Sequence, residues 1–360
     1  MSDTTNKTCV IVGASHAGVN CAFNLRKEGW QGKIIIYDID KNTPYHRPPL
    51  SKSYIIDGNL DSNLLKPLES YDKENITLKL GVKVIAINKD DKTIFLENNI
   101  VQAYDKVVLA TGARPFLPPI NGIKEAENLF VIRTAEDALK IKKALTKHIQ
   151  KRVVIIGGGY IGLETAASLK KMGANVTILE RESRVLSRVT APLMSEYFMN
   201  LHQENDVSIL TKKNVVSIKN EIQFNTVFCD DNTFYKADII IVGVGIRINA
   251  ELAKEADLKV EKGIFVNEYA QTSNEHIYAI GDCTIHYNPH YRKYLRLESV
   301  QNAVEQSKMA AAAICNNPTI YDTIPWFWSD QYSVKLQMVG LSTGYNKVLL
   351  RKETIQAFKF

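Results

Sequence analysis

The chain has 360 residues, of which 45% are apolar and 23% are charged, and its formal net charge is +6. This length predicts roughly two or three domains, and the composition excludes a disordered chain, a collagen and a coiled coil. The charge is mild and no basic stripe is clustered, so we expect no nucleic-acid binding. The five cysteines are widely spaced and no apolar stretch approaches about 18 residues. We therefore expect no disulfide scaffold, no metal cluster, no secretory signal and no membrane span, and we expect a cytoplasmic location.

The N-terminal region has the pattern of a strand, a turn, a helix and a second strand. Residues 9–12 (CVIV) are a short apolar run, which predicts a buried parallel strand. Residues 13–18 (GASHAG) predict a turn, and small or apolar residues then recur at helical spacing as far as Leu25. Residues 33–37 predict a second strand, which leads into Asp38.

The same order of elements returns later in the chain. Residues 153–156 (VVII), 157–162 (GGGYIG) and 175–179 repeat the strand, the turn and the second strand, and Glu180 takes the place of Asp38. The glycines that open the two turns are 144 residues apart, and so are the glycines that close them. This constant offset indicates an internal duplication.

Each unit has the glycine pattern of a dinucleotide-binding motif. The first glycine permits a tight turn, the second lets the backbone approach a pyrophosphate, and the third lets the helix pack on the strand. An acidic residue about 20 positions later binds a ribose. One copy alone could be a glycine-rich turn without function, whereas two copies at one offset favour two dinucleotides in one chain.

The two units differ in detail. In the first unit Ser15 replaces the middle glycine. In the second unit the carboxylate of Glu180 suits a free ribose 2′-hydroxyl and favours NAD over NADP. Arg181 and Arg184 follow closely and could bind a 2′-phosphate, so NADP remains the alternative.

Further motifs run through the rest of the chain: PYHRPPLSK at 44–52, ATGARP at 110–115, GGGYIGLE at 157–164, YAIGD at 278–282 and PWFWSDQY at 325–332. In combination they resemble the FAD-dependent ferredoxin reductases, the family of putidaredoxin, rhodocoxin and rubredoxin reductases. The resemblance covers essentially the whole chain.

The resemblance implies an α/β fold with two Rossmann-like domains of the three-layer, glutathione-reductase-like type and an α+β C-terminal domain. The FAD domain would be discontinuous, at residues 1–115 and 246–320, with the NAD domain inserted at 116–245. Residues 323–360 would form a partial C-terminal interface domain. Because the family's domain is normally longer, we expect this one to stop at its second or third strand and to expose apolar surface.

The resemblance also implies the cofactor contacts. The FAD contacts would be Gly13, Ser15, Ala17, Gly18, Asp38, Arg47, Lys52, Val84, Ala110, Thr111, Gly112, Arg133, Asp282 and Val300. The NAD contacts would be Gly157, Gly159, Tyr160, Ile161, Gly162, Glu180 and Gly245. Spacing selects Asp38 as the first ribose acid, whereas the family likeness places that contact nearer Ile39.

Lys52 and Glu164 are the expected catalytic pair, because the family places them together beside the flavin N5. Taken alone, the two residues would more often be a solvated lysine and a glutamate in the first turn of a helix. A lysine in a half-buried site needs a carboxylate partner to remain charged at low cost.

The reaction implied by the resemblance is that of an NADH-dependent flavoprotein oxidoreductase. FAD would take a hydride from NADH and pass single electrons to a 2Fe–2S ferredoxin or a rubredoxin that serves an oxygenase. Residues 44–52 contain no cysteine and Cys21 is expected in the core, so we expect no dithiol chemistry. Trp326 and Trp328 could receive the partner or could be core residues, and we expect a monomer.

Two alternatives remain open at this stage. One is an NADH-dependent flavin oxidase or quinone reductase that needs no redoxin. The other is an FAD-binding protein that has lost redoxin docking.

Overall fold

The computed structural model describes residues 4–353 and 357–359. The strands, numbered in chain order, are β1 Thr8–Val12, β2 Lys33–Asp38, β3 Ile76–Leu80, β4 Val84–Asn88, β5 Thr93–Leu96, β6 Val101–Ala103, β7 Lys106–Leu109, β8 Ala113–Pro115, β9 Leu129–Phe130, β10 Arg152–Ile156, β11 Asn175–Leu179, β12 Ser208–Leu210, β13 Val215–Asn220, β14 Asn225–Cys229, β15 Phe234–Ala237, β16 Ile239–Val242, β17 Ile246–Ile248, β18 Ile264–Phe265, β19 Ile277–Ala279, β20 Thr284–Asn288, β21 Lys293–Leu295, β22 Trp326–Gln331, β23 Val334–Val339, β24 Arg351–Glu353 and β25 Ala357–Lys359. The α-helices are α1 His16–Lys27, α2 Ser53–Asp57, α3 Leu68–Lys73, α4 Ala135–Lys147, α5 Tyr160–Lys171, α6 Pro192–Glu204, α7 Glu251–Glu255 and α8 Val300–Ile314. Short 3-10 helices span Pro48–Ser51, Asp61–Asn63 and Gly281–Cys283.

Two parallel five-stranded sheets form the centre of the molecule. The first has the order β19-β7-β1-β2-β3, and the second has the order β12-β11-β10-β16-β9. In each sheet the first strand of a glycine unit lies between the second strand of that unit and a strand from a later part of the chain. The duplication predicted from the glycine spacing is therefore confirmed as a duplication of structure.

Each parallel sheet is the middle layer of three. In the first unit Cys9 and Ile11 share a buried cluster with residues of α1 and α8. Val10 and Val12 alternate with them along β1 and share a different cluster with Val84 of β4. Strands β4, β5 and β6 form an antiparallel sheet, and β13, β14 and β15 form its counterpart in the second unit. Apolar residues on both faces of β1 thus hold helices on one side and a small sheet on the other, which confirms the predicted three-layer fold.

The chain passes twice between the two units. Strands β8 and β17, which lie on these two passages, pair antiparallel, with Ala113 opposite Ile248. The domain boundaries at 115 and 246 stay a prediction.

After α8 the chain forms two antiparallel hairpins, β22–β23 and β24–β25. The expectation that the chain stops in its second or third C-terminal strand was wrong, because four strands follow Thr323 in the described residues. Several large apolar side chains are exposed here, among them Val339 and Leu349. Of the helices that the structure describes, none is long and apolar enough to cross a membrane.

Candidate active site

A cavity of about 940 Å³ opens where strands of the first sheet end. Its walls include Gly13 after β1, Asp38 at the end of β2, Ala110 after β7 and Ile280 after β19. The carboxyl ends of neighbouring parallel strands form a crevice at the edge of the sheet, and ligands of open α/β sheets bind there.

The glycine turns have the backbone shape that the motif requires. Gly13 has φ +114° and its counterpart Gly157 has φ +109°. A Cβ at Gly13 would collide with the Ala110 carbonyl, and one at Gly157 would collide with the Gly243 carbonyl. At both positions any other residue would strain the turn.

Helices α1 and α5 begin at these turns without a side-chain cap. Helix α4, by contrast, begins with a complete capping box between Thr134 and Asp137. Uncapped N–H groups at a helix N-terminus form a binding site for phosphate. A Cβ at Gly159, where α5 begins, would meet no atom within 4 Å, so there is space in front of this helix.

The acidic residue of each unit holds its own glycine turn. The Ala14 N–H donates to Asp38 Oδ2 at 2.5 Å, and the Gly158 N–H donates to Glu180 Oε2 at 2.6 Å. In both residues the other carboxylate oxygen accepts the N–H of the residue two positions later. The motif predicts only a ribose contact for these acids, and their hydrogen bonds to the turns are seen only in the structure.

Arginines near Glu180 already have protein partners. Arg184 donates to two backbone carbonyls and to Ser195 Oγ, the latter at 2.7 Å. Arg181 pairs with its neighbour Glu182 at 3.0 Å. Arg184 is thus used to hold the loop that follows β11, which weakens the alternative that it binds a 2′-phosphate.

Lys52 and Glu164 meet at the cavity wall. Lys52 Nζ lies 2.7 Å from Glu164 Oε2, and Glu164 is only 2% exposed. Ser51 Oγ donates to the same oxygen at 2.6 Å, and Ser329 Oγ donates to Oε1 at 2.7 Å. Glu164 is thus a buried charge that is compensated by one ammonium group and two hydroxyl donors. The alternative of a solvated lysine was wrong.

Two arginines lie in another part of the cavity wall. Arg133 lies 3.6 Å from Asp282 Oδ2, and burial raises the pKa of Asp282 against the opposing effect of Arg133. Arg47 donates to Tyr45 Oη at 2.7 Å and to the Arg133 carbonyl at 2.8 Å. Both arginines line the cavity and could balance the charge of a pyrophosphate.

A histidine pair lies beside the first glycine turn. His16 Nε2 is 3.2 Å from His46 Nδ1, and His16 is nearly buried in the cavity wall. Burial, together with the nearby His46, Arg47 and Arg133, lowers the pKa of His16 to about 3. His16 lies in the glycine turn at 13–18 and His46 in the motif at 44–52, but neither motif requires a histidine at that position, so the sequence alone does not predict the pair.

The cavity collects 13 of the 14 residues predicted to contact FAD. Gly18 is the exception, because it packs behind the turn, where a Cβ would collide with the Gly13 carbonyl. Of the residues predicted to contact NAD, Ile161 lines the same cavity. Ser51 and Ser329 are not predicted from the sequence, where only the position of Ser51 next to Lys52 hints at a role for Ser51.

The other residues predicted to contact NAD lie outside this cavity wall. Gly157, Gly159 and Gly162 belong to the second turn and its helix. Tyr160 packs its ring against Phe327, with 4.6 Å between ring centroids. Gly245 has φ +129°, and a Cβ there would meet no atom within 4 Å.

The buried cysteines Cys21 and Cys283 do not line the cavity. Cys21 is fully buried among core residues, as predicted, and burial raises its pKa. Cys283 is also buried, and its thiol lies near the Leu109 and Ile280 carbonyls.

Comparison with known proteins gives two family matches and several relatives. The sequence model of the pyridine nucleotide-disulphide oxidoreductases matches residues 7–307, and that of the reductase C-terminal region matches residues 326–360. Putidaredoxin reductase CamA of Pseudomonas putida is 42% identical over 357 residues, which are 98% of this chain and 84% of that protein. Rhodocoxin reductase of Rhodococcus erythropolis is 38% identical over 344 residues, or 95% of this chain and 80% of that protein. The solved covalent complex of putidaredoxin reductase with putidaredoxin matches with a TM-score of 0.92 and 40% identity, covering 98% of this chain and 86% of that one.

Proposed function

The chain belongs to the pyridine nucleotide-disulphide oxidoreductase family, and on this basis we propose that it is an FAD-dependent NADH:redoxin oxidoreductase. It is an oxidoreductase whose cofactors are FAD and NAD(H). The buried Lys52–Glu164 pair carries the proposal, because it joins the first unit to α5 of the second unit at the wall of the cavity.

The residues of the cavity fit an FAD molecule. The uncapped start of α1 and the sharp turn at Gly13 suit a pyrophosphate, and Arg47 and Arg133 supply positive charge. Val84 lines one wall, and Asp282 and Val300 line another. When bound, FAD supplies the chemistry of accepting a hydride from NADH and releasing electrons one at a time.

Lys52 and Glu164 prepare the site for a gain of negative charge. Glu164 is buried and receives three donors, so its carboxylate is held in one orientation. Lys52 is held by this carboxylate and by the Pro48 carbonyl, and it presents an ammonium group to the cavity. A preorganised cation stabilises negative charge that develops beside it at little reorganisation cost.

The second unit is proposed to bind NADH through the turn at Gly157 and the start of α5. Glu180 is the proposed selector of the 2′-hydroxyl, since Arg184 is engaged in its own loop. Gly159 leaves space for a phosphate in front of the helix.

The electron acceptor is proposed to be a small redoxin of the 2Fe–2S or rubredoxin type. The names of the relatives support this, as does the positive net charge of +6, which suits an acidic partner. Trp326 and Trp328 stack with ring centroids 5.1 Å apart, and Trp328 lines the cavity while remaining partly exposed. We propose this pair as the place where the redoxin approaches.

A monomer in the cytoplasm is proposed as the working state. The five cysteines are free, which suits a reducing compartment. Size-exclusion chromatography with light scattering measures the mass directly, and a stable dimer would contradict the monomer.

An anaerobic titration with NADH tests the proposed function. We expect the visible flavin band to bleach with about one NADH per flavin, and purified putidaredoxin added next to be reduced while the band returns. Rapid NADH consumption in air or with menadione, without any effect of putidaredoxin, would favour the oxidase or quinone reductase alternative. A protein that binds FAD but is not bleached would contradict the proposal.

A further inference from the structure

A row of buried side chains leads from α6 through β22 to Glu164. His202 Nε2 lies 2.9 Å from Gln331 Oε1, and Gln331 Nε2 donates to Ser329 Oγ at 3.2 Å. Ser329 Oγ in turn donates to Glu164 Oε1 at 2.7 Å. His202, Gln331 and Ser329 are each 0% exposed, so water does not compete for these hydrogen bonds.

The chemistry of the groups gives this row a single direction. The Glu164 carboxylate, paired with Lys52, can only accept, so the Ser329 hydroxyl must donate to it. The Ser329 oxygen is then available to accept from the Gln331 amide nitrogen, which turns the Gln331 carbonyl oxygen towards His202. His202 must therefore carry its proton on Nε2.

The remaining ring nitrogen of His202 agrees with this direction. His202 Nδ1 lies 3.4 Å from the Tyr332 hydroxyl, which can donate to it. Burial lowers the pKa of His202, against the hydrogen bond to Gln331, so the neutral ring is favoured. Every donor in the row points towards Glu164.

We propose that Ser329 is a positioning residue for the reaction, because it fixes the Glu164 carboxylate that holds Lys52 at the cavity. This rests on the proposed function and adds to it a role for hairpin β22–β23. Ser329 is 165 residues from Glu164 in the chain, so the carboxylate is fully held only when the hairpin is docked against α5. The hairpin would thus influence the flavin site without providing a cofactor contact at Ser329.

The test compares Ser329→Ala with Ser329→Thr and with Ser307→Ala as the matched control. Ser307 is also 0% exposed, and its hydroxyl donates to a backbone carbonyl of its own helix, without contact to Glu164. In anaerobic stopped-flow reduction by NADH, we expect Ser329→Ala to lower the limiting rate by roughly tenfold, as expected for loss of a hydrogen bond to a charged group. The Kd for NADH and the FAD content should stay unchanged, and Ser329→Thr should restore most of the rate.

A second readout does not depend on turnover. In ¹⁵N-histidine NMR spectra of the oxidised holoprotein, the His202 signals, assigned with His202→Gln, should show an Nε2–H tautomer. Ser329→Ala should shift these signals, and Ser307→Ala should leave them in place. If Ser329→Ala does not retain FAD, Gln331→Leu carries the test, with an expected two- to threefold loss of rate, roughly half the hydrogen-bond effect.

Three results would overturn the proposal: a limiting rate in Ser329→Ala equal to that in Ser307→Ala, an unchanged rate in Gln331→Leu where Ser329→Ala does not retain FAD, or a folded Ser329→Thr protein that stays slow. If NADH fails to reduce the unmodified protein, the proposed function fails. In that case unshifted His202 signals in Ser329→Ala would separately show that the row is absent.

Discussion

Glu180 Oε2 and the Gly158 amide nitrogen lie 2.6 Å apart, so the acid at the end of β11 holds the glycine turn that precedes α5. Asp38 and Ala14 make the same contact in the first unit at 2.5 Å. An acid in this position therefore braces the turn, and its second, proposed task is to meet a ribose. Substitutions of the two acids separate these tasks.

Glu180→Gln should reduce the preference for NADH over NADPH by roughly tenfold, because it removes the charge that repels a 2′-phosphate. A glutamine oxygen can still accept the Gly158 N–H, so the glycine turn should keep its shape, whereas the glutamine NH2 cannot accept the Glu182 N–H and that hydrogen bond is lost. The ratio of kcat/KM for the two nucleotides measures the effect. Asp38→Asn is the matched control, and it should alter FAD retention with no change in that ratio. An unchanged ratio in Glu180→Gln would show that Glu180 does not meet the ribose.

Lys52→Met should slow flavin reduction by NADH by roughly tenfold while FAD stays bound, because the cation at the cavity is lost. Ser51 and Ser329 continue to donate to Glu164 in this variant. Stopped-flow absorbance at the flavin band gives the rate. Lys140→Met is the control, since Lys140 and Glu136 form an exposed pair at 2.8 Å on the surface of α4. Equal rates in the two variants would remove Lys52 from the mechanism.

Gly13→Ala and Gly157→Ala should separate the two dinucleotide sites. Each places a Cβ at a φ that only glycine adopts easily and against a backbone carbonyl. We expect Gly13→Ala to be purified with much less FAD, and Gly157→Ala to keep its FAD but bind NADH more weakly. The ratio of flavin to protein and the Kd for ADP-ribose measure these effects. Loss of FAD from Gly157→Ala with normal FAD in Gly13→Ala would reverse the assignment.

Acidification should destabilise the protein through His16. The pKa of His16 is about 3 in the folded protein, well below the ordinary histidine value of about 6.5, chiefly because the ring is buried. Between these values the unfolded chain binds a proton that the folded chain does not, so stability falls as the pH falls, by about 1.4 kcal/mol per pH unit. Above about pH 6.5 neither the folded nor the unfolded chain binds this proton, so His16 adds no pH dependence to the stability there.

The measurement for His16 is urea unfolding at several pH values with FAD in constant excess. His16→Gln should lose less stability than the unmodified protein between about pH 6.5 and pH 4.5. His290→Gln is the control, because His290 is partly exposed and pairs with Asp322 at 2.8 Å on the surface. A slope in His16→Gln as steep as in the unmodified protein would contradict the prediction.

The sequence by itself determined the two dinucleotide units. Each copy places its strand, glycine turn, helix and acid within about 30 residues. The strand and the helix are marked by the spacing of apolar residues, the turn by its glycines and the acid by its charge. Observed β1, α1 and β11 agree with the predicted segments to within a few residues. The C-terminal strands were predicted less well, because their pattern is short and only the resemblance indicated them.

Only the tertiary structure decided which side chains act together. Lys52 and Glu164 are 112 residues apart, and Ser329 is a further 165 residues along the chain from Glu164. His16 and His46 likewise meet only because the segment after β2 returns to the first turn. Periodicity and spacing report the backbone and the burial of each segment, whereas such contacts depend on how the two units and the final hairpin pack against one another.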